Sequence, residues 1–285
     1  MIAVTGATGH LGHLVVDSLL SKLPADQIVA VVRTPAKAAA LAAKGVAVRE
    51  GDFSKPETLS AAFVGVEKLL LVSSSEVGQR IAQHQAVIDA AKAAGVKFIA
   101  YTSLLKADTA TMQLATEHVA TEKYLQASGV AFALLRNGWY TENHMAALAP
   151  SVAHGAIIGA AGEGRFATAP RADYAEAAAV VLATAGHENK IYELAGDTSY
   201  NYAELAHEAA EVSGKPVAYA RLSEAEYAKA LEGFGLPPAA AAVVANADAS
   251  AAKGELDSTS GDLARLIGRA TVPWQNTVAE TLKQA

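Results

Sequence analysis

Short apolar runs and amphipathic stretches alternate along the first half of the chain. Met1-Ile2-Ala3-Val4-Thr5 leads into a glycine-rich turn and then into Leu11, Leu14, Val15, Leu19 and Leu20 at helical spacing, a strand–turn–helix unit. Gln27-Ile28-Val29-Ala30-Val31-Val32 is continuously apolar, the mark of a strand buried on both faces of a parallel sheet. Arg33-Thr34-Pro35 ends it, with Thr34 expected as N-cap and Pro35 opening a helix that runs from Ala36 to Lys44. Val46-Ala47-Val48 reads as the next strand, and Ser54-Lys55-Pro56-Glu57 has capping-box spacing for the helix after it. Lys68 to Val72, Phe98 to Ser103 and Ala131 to Leu135 are further strands, separated by helices over about Gln79–Ala94 and Leu114–Ala127. Strands and helices in alternation, with short connections, predict an α/β fold with a doubly wound parallel sheet of the Rossmann type.

The pattern breaks after Arg136. Glycines recur at Gly138, Gly155, Gly159, Gly162 and Gly164, with one short helical stretch near Met145. Arg171-Ala172-Asp173-Tyr174 then opens a helix, with Asp173 expected as N-cap and Glu176 at N3, and Lys190 to Leu194 returns as a strand. The remainder reads as mostly helical, with starts at Asn201…Glu204 and Ser223…Glu226. The Ala-rich stretch Pro238 to Lys253 lacks Gly and Ser repetition and carries Val243 and Val244 among its alanines, so it reads as a packed helix rather than a linker. No internal repeat is visible. The expected division is discontinuous: a dinucleotide domain over 1–136 that recovers about 171–195, and a smaller, mostly helical substrate domain over 137–170 and 196–285.

Composition narrows the class. Charged residues make up 18% of the chain and the net charge is −6, so no basic face offers itself to nucleic acid. With no cysteine, disulfides, thiolate metal sites and a cysteine nucleophile are excluded. No apolar run approaches the ~18 residues of a membrane span. The first strand occupies the first residues, so no leader is expected. These features lead to the expectation of a cytoplasmic protein.

Ligands of doubly wound sheets sit beyond the carboxyl ends of the strands. That rule selects the turn Gly6-Ala7-Thr8-Gly9-His10-Leu11-Gly12, then Arg33, Asp52-Phe53, Ser73-Ser74-Ser75, Thr102-Ser103 and the segment from Arg136 to Asn143. The turn has G-x-x-G-x-x-G spacing, but its place between the first strand and a helix is that of a dinucleotide turn, where a helix N-terminus meets a pyrophosphate. An NAD site carries an acid at the end of the second strand; here Val31 to Lys37 holds no acid and supplies Arg33 and Lys37. Arg33 is either a solvated side chain or the partner of a 2′-phosphate, and the second reading gives NADPH as cofactor. Arg136-Asn137-Gly138-Trp139-Tyr140-Thr141-Glu142-Asn143 offers amides for a carboxamide and flat rings for a flat ligand, unless Trp139 and Tyr140 only seal the junction. Arg165, Phe166 and Thr168 are candidates for the far wall of a substrate pocket, on what otherwise reads as a mobile surface loop.

Proton machinery is harder to find. Ordinary short-chain dehydrogenases pair a tyrosine with a lysine four residues later, and none of the nine tyrosines here has one. Lys123 is preceded at that distance by Val119. Tyr140 and Lys123 stay as the catalytic candidates, Lys123 equally readable as a solvated helix lysine or as a contact to the cofactor ribose or the substrate. His118 reads as structural or exposed, or else as a proton donor. An alkoxide product needs a donor, whereas a hydroquinone anion is far less basic and can take a proton from water. Acceptors that need only proximity and orientation are therefore favoured.

Over essentially its whole length the chain resembles the NmrA-like branch of atypical short-chain dehydrogenase/reductases. The opening glycine turn, Arg33-Thr34-Pro35, Gly51-Asp52-Phe53 and the closing Ser260 to Arg269 stretch carry the likeness. Val66 to Arg80, Val96 to Ser103 and Leu134 to Tyr140 are more narrowly similar to the second, flavin-free type of bacterial NAD(P)H:quinone oxidoreductases, with triphenylmethane dye reductases as relatives. The resemblance implies NADPH held by the glycine turn, Arg33, Ser73–Ser75 and Asn137 to Asn143, and hydride transfer to a small-molecule quinone with neither flavin nor metal. It leaves two alternatives, a dinucleotide-binding redox sensor and a reductase of other electrophilic acceptors such as triphenylmethane dyes, and a monomer or homodimer as the working state. His10 departs from the family, whose members often carry glutamine there.

Overall fold

The structure is a computed structural model that describes residues 1–284. The first half runs β1 (Ile2–Thr5), α1 (His10–Leu20), β2 (Ile28–Val32), α2 (Ala39–Ala43), β3 (Ala47–Glu50), α3 (Pro56–Ala62), β4 (Lys68–Leu71), α4 (Arg80–Ala93), β5 (Phe98–Leu104), α5 (Gln113–Ala127) and β6 (Ala131–Asn137). The second half adds α6 (Thr141–Met145), α7 (Leu148–His154), β7 (Ala156–Gly159), α8 (Arg171–Ala183), β8 (Lys190–Leu194), α9 (Tyr202–Ser213), β9 (Ala218–Arg221), α10 (Glu224–Gly233), α11 (Pro238–Ala251), α12 (Asp262–Ile267) and α13 (Trp274–Lys283).

Seven strands form one sheet in the order β3-β2-β1-β4-β5-β6-β8, and every neighbouring pair is parallel. The chain starts in the middle at β1, winds outward through β2 and β3, then crosses back to β4, so the order reverses between β1 and β4. Side chains alternate between the two faces. Ile2 and Val4 join one buried cluster with α1, α8 and α12, while Ala3 between them joins another with α3, α4 and α5. This is the expected α/β architecture, with a third core built by the C-terminal elements around Phe166, Tyr200, Leu205 and Trp274.

That third region is less purely helical than expected. β7 and β9 pair in parallel as a separate two-stranded sheet, Ala156 opposite Ala218 through Gly159 opposite Arg221. Both strands are four residues long and half-exposed, so neither produces a buried apolar run. The Asn201…Glu204 and Ser223…Glu226 capping boxes form as expected, and Pro238–Ala251 is a helix. The other two expected caps do not form, and proline is the reason in both. Proline holds the residue before it extended and, with its own φ fixed, sits at or just before the first helical position. α3 therefore begins at Pro56 with Lys55 as N-cap, leaving Ser54 outside. α8 begins at Arg171 after an extended Pro170, which puts Asp173 inside the first turn. Asp173 is fully buried there and accepts bonds from Val272 N–H and Arg269 Nη2. Thr34 is the N-cap of a 3₁₀ turn over Pro35–Ala38 without a side-chain bond, and only Ala39–Ala43 is α-helical.

Candidate active site

The glycine turn is shaped by two different demands. Gly6 has φ +59°, the left-handed region that costs other residues a Cβ clash. A Cβ on Gly12 would stand 2.3 Å from the Gly6 carbonyl oxygen and 2.9 Å from Ala7 Cα, so glycine lets α1 pack directly onto the turn. Gly9 is the N-cap of α1 and offers no side chain, leaving the first-turn N–H groups of His10, Leu11 and Gly12 without a protein cap. Those donors and the helix dipole make a site for a diphosphate.

The other strand ends converge on the same crevice, where the sheet order reverses. Arg33, after β2, donates through Nη1 to Glu76 Oε1 at 2.8 Å. Gln83 ties Glu76 Oε2, the Ser54 hydroxyl and the Ser74 hydroxyl together at 2.7, 3.0 and 2.5 Å. Asp52 accepts from Ser54 N–H, and Phe53 lies edge-on to His84. The Ser73 N–H donates to Thr102 Oγ1, and the Ser74 N–H donates to His84 Nε2 at 2.9 Å. His84 Nδ1 then carries the proton toward Thr121 Oγ1, whose own proton goes to Glu117 O. Burial and the Arg80 charge hold His84 neutral, its pKa pushed down to about 3. Ser75 is exposed at the lip of the crevice.

At the end of β6 the chain turns through Gly138 into α6. Asn137 Nδ2 donates to the Tyr140 hydroxyl at 3.1 Å, while Asn137 Oδ1 is buried with no partner. Burial raises the pKa of Tyr140, so its hydroxyl is a neutral donor. Arg171 stacks its guanidinium 4.7 Å from the Tyr140 ring centre and donates through Nη2 to Asn143 Oδ1 at 2.6 Å. The Glu142 carboxylate caps the start of α8 by accepting the Arg171 N–H. Trp139 packs on the C-terminal core and faces a cavity.

That cavity has a volume of about 1600 Å³. One side is Thr8, Gly9, His10, His13 and Leu14, the next is Trp139, Glu142, Asn143 and Arg171, and the rest comes from α6, α7, β7, α9, α10 and α11. Leu148, Ile157, Leu205, Leu231, Phe234 and Val244 make the far part apolar. A single small-molecule site occupies ~300–1,000 Å³. The space here is large enough for two ligands in contact, one at the glycine turn and one among apolar walls.

Residues 6–185 match the NAD(P)H-binding family. The chain belongs to that family. It is 56% identical over 282 residues to quinone oxidoreductase 2 of Escherichia coli strain K12, covering 99% of this chain and 97% of the relative. Among solved structures it is similar to an NADPH-dependent quinone oxidoreductase from Escherichia coli in complex with NADPH, with TM-score 0.97, 55% identity and coverage of 99% and 100% of the two chains. The triphenylmethane reductase of Citrobacter sp. complexed with NADP(H) is similar at TM-score 0.95 and 42% identity, over 99% of this chain and 100% of that one.

In this NAD(P)H-binding protein several expected site residues lie elsewhere. Lys123 follows Glu122, which points inward to hold Arg136 and the Ser103 hydroxyl, so Lys123 faces solvent on α5, outside the cavity lining. His118 is buried against the Tyr101 hydroxyl, with its pKa driven well below the usual value by burial, and is no proton donor to the cavity. Arg165, Phe166 and Thr168 do not form the far wall, and their segment is pinned rather than loose. Arg165 binds Ser199 and Glu204, Phe166 pairs through its backbone with Tyr200, and Thr168 accepts from the Thr141 hydroxyl. The far wall is built instead by His144, Tyr202, Tyr227 and Asp248 together with the apolar residues above. His13 and Arg171 also border the cavity and carried no motif of their own. Among the described residues no group of three or more His, Cys, Asp or Glu stands together as a metal site, and no helix is long and apolar enough to cross a membrane.

Proposed function

We propose that this protein oxidises NADPH and reduces a quinone by direct hydride transfer, without flavin or metal. One observation carries the reading: a single cavity joins the dinucleotide turn to an apolar, aromatic chamber. The likeness to the Escherichia coli quinone oxidoreductase supports quinone as the acceptor.

The residues fit an NADPH molecule. First-turn N–H groups of α1 suit the diphosphate, and Arg33 suits a 2′-phosphate in a segment without acid. The orphaned Asn137 Oδ1 suits the amide N–H of a carboxamide. We assign Asp52, Phe53, Ser73 to Ser75 and Thr102, at or just beyond the ends of β3, β4 and β5, to the stretch of cofactor between these points, and Gly138 to Asn143 to the nicotinamide end. Bound there, NADPH supplies the hydride. The protein contributes orientation of a flat acceptor against Trp139 and exclusion of water by α10 and α11. In this reading 1–136 with 171–195 holds the cofactor, and 137–170 with 196–285 selects the acceptor. Its setting is a cytoplasmic one, on small-molecule substrates.

The test is NADPH consumption with 1,4-benzoquinone by chelator-treated protein free of flavin absorbance, beside Gly9→Asp. Steady turnover lost in Gly9→Asp is the expected result. Tight NADPH binding with no turnover on any quinone would instead make the protein a dinucleotide-binding sensor.

A further inference from the structure

The far wall of the cavity contains a line of hydrogen-bonded groups. His144 on α6, Tyr202 at the start of α9 and Asp248 on α11 all border the cavity. The Tyr202 hydroxyl donates to Asp248 Oδ1 at 2.8 Å and lies 3.4 Å from His144 Nε2. The Tyr200 hydroxyl stands 2.6 Å from His144 Nδ1. Burial lowers the His144 pKa to about 3, so the imidazole is neutral; in the tautomer that accepts the Tyr200 hydroxyl at Nδ1, Nε2–H faces Tyr202. The line ends on the Tyr202–Asp248 contact: an ionised carboxylate accepts from the Tyr202 hydroxyl there, and a protonated carboxyl donates across the same 2.8 Å to the Tyr202 oxygen.

That carboxyl is buried and surrounded by neutral groups. Its Oδ2 accepts the Ala160 N–H at 2.9 Å, and Tyr202 completes its bonded partners. Facing it are Tyr200 and Tyr202 at the start of α9, Tyr219 from β9, Tyr227 from α10 and His144 from α6, all uncharged at pH 7. Arg221 and Glu163, whose charges reach Tyr219, are well exposed and face each other at 3.7 Å, and Glu224 of α10 is bonded to Asn246 on the Asp248 helix. Burial raises the Asp248 pKa to about 7. The backbone also makes room for this arrangement. A Cβ on Gly159, at the end of β7, would stand 2.4 Å from Tyr202 Cε2 and 2.8 Å from Asp248 Oδ2.

We propose that Asp248 and Tyr202 supply the proton that the acceptor in this cavity takes up, Asp248 as the acid and Tyr202 as the relay. The proposal rests on the quinone-reductase reading. A quinone that accepts a hydride gains both electrons and one hydrogen, and needs one proton to become a neutral hydroquinone. In its protonated form Asp248 donates to the Tyr202 oxygen and leaves the Tyr202 O–H free for the cavity; as that proton leaves for the quinone oxygen, the Asp248 O–H bond breaks and its proton passes to the Tyr202 oxygen. The His144 Nε2–H keeps that oxygen in place. Asp248 is left as a carboxylate and regains a proton from water once the product departs. The tyrosine has no lysine partner; an uncharged acid takes that place.

The test compares wild type, Asp248→Asn and Tyr202→Phe with duroquinone, whose hydroquinone is a weak acid. Wild-type kcat should fall as pH rises through about 7 and show a solvent deuterium effect. Both variants should lose about a hundred-fold in kcat, as for removal of a general acid, and show a flat pH profile with no solvent isotope effect. NADPH affinity by fluorescence titration should stay within about two-fold, which separates the effect from misfolding. Infrared titration of the substrate-free protein should show a carboxylic acid band titrating near neutrality that Asp248→Asn lacks. Wild-type turnover with an unchanged Asp248→Asn pH profile, or a missing acid band, overturns the relay alone. Absence of quinone turnover in wild type sinks the quinone reading instead.

Discussion

Arg33 offers its charge from a side chain two-thirds exposed, and in the free protein Glu76 holds it at 2.8 Å. An exposed pair of this kind is worth ~1 kcal/mol or less, so a 2′-phosphate can displace the carboxylate. The displaced Glu76 nevertheless stays close, still bonded to Gln83, and opposes the phosphate it makes way for. Two opposite outcomes follow from one ion pair. Arg33→Asp should lower the NADPH-over-NADH ratio of kcat/KM by roughly ten- to a hundred-fold, matching the ~1.5–3 kcal/mol of a hydrogen bond to a charged group. Glu76→Gln should tighten NADPH binding by about two- to five-fold and leave NADH almost unchanged, as an exposed charge allows. Cofactor titrations at low and high salt check both, since the gain in Glu76→Gln should shrink as salt screens it. An unchanged ratio in Arg33→Asp would take the 2′-phosphate away from this residue.

At the scale of elements, the turn and α1 act as one piece because Gly12 lets the helix touch the turn. Gly12→Ala forces Cβ into the Gly6 carbonyl, so α1 must move outward and carry its first-turn N–H groups with it. The expected result is a loss of about 1–3 kcal/mol in stability, as for overpacking, with NADPH affinity falling more than stability does. A melting curve and a titration on the same sample separate the two. This element was legible in the sequence, as was every strand of the large sheet, because β2, β4 and β5 are buried on both faces and read as apolar runs. The strand ends selected the candidate cofactor side. The acceptor side did not. β7 and β9 pair in parallel although Gly159 and Ala218 are far apart in the chain, so no hairpin turn announces them. His144, Tyr202 and Asp248 come from three separate helices, and their meeting is a product of tertiary packing. One signal was available: Asp248 is the sole charged residue in the Pro238–Ala251 helix, a carboxylate where everything around it is apolar or small. Lys123 misled for the converse reason, since helix spacing shows a face only once the buried neighbour, Glu122, is known.

Across the whole molecule, buried titratable groups couple stability to pH. His84, His118 and His144 are all held neutral, by burial above all, with pKa values near 3 for His84 and His144 and well below the ordinary 6.5 for His118. Between about pH 4.5 and 6 the unfolded chain protonates these imidazoles while the folded chain does not. Asp248 works the other way: with its pKa raised from 3.8 to about 7, it is protonated in the folded state and ionised in the unfolded one over the same window. Three histidines against one aspartate leave the unfolded state with about two more protons, so stability rises with pH there and is lost as pH falls from 6.5 toward 3. Each excess proton is worth roughly 1 kcal/mol per pH unit, which makes the combined slope about 2–3 kcal/mol per unit. Denaturant unfolding at stepped pH should show it directly. Asp248→Asn should steepen the slope by about one proton, because the opposing group is gone while the histidines remain. A slope that Asp248→Asn does not change would mean that Asp248 is ionised in the folded protein, and the acid at the end of the cavity's hydrogen-bonded line would then have no proton to give.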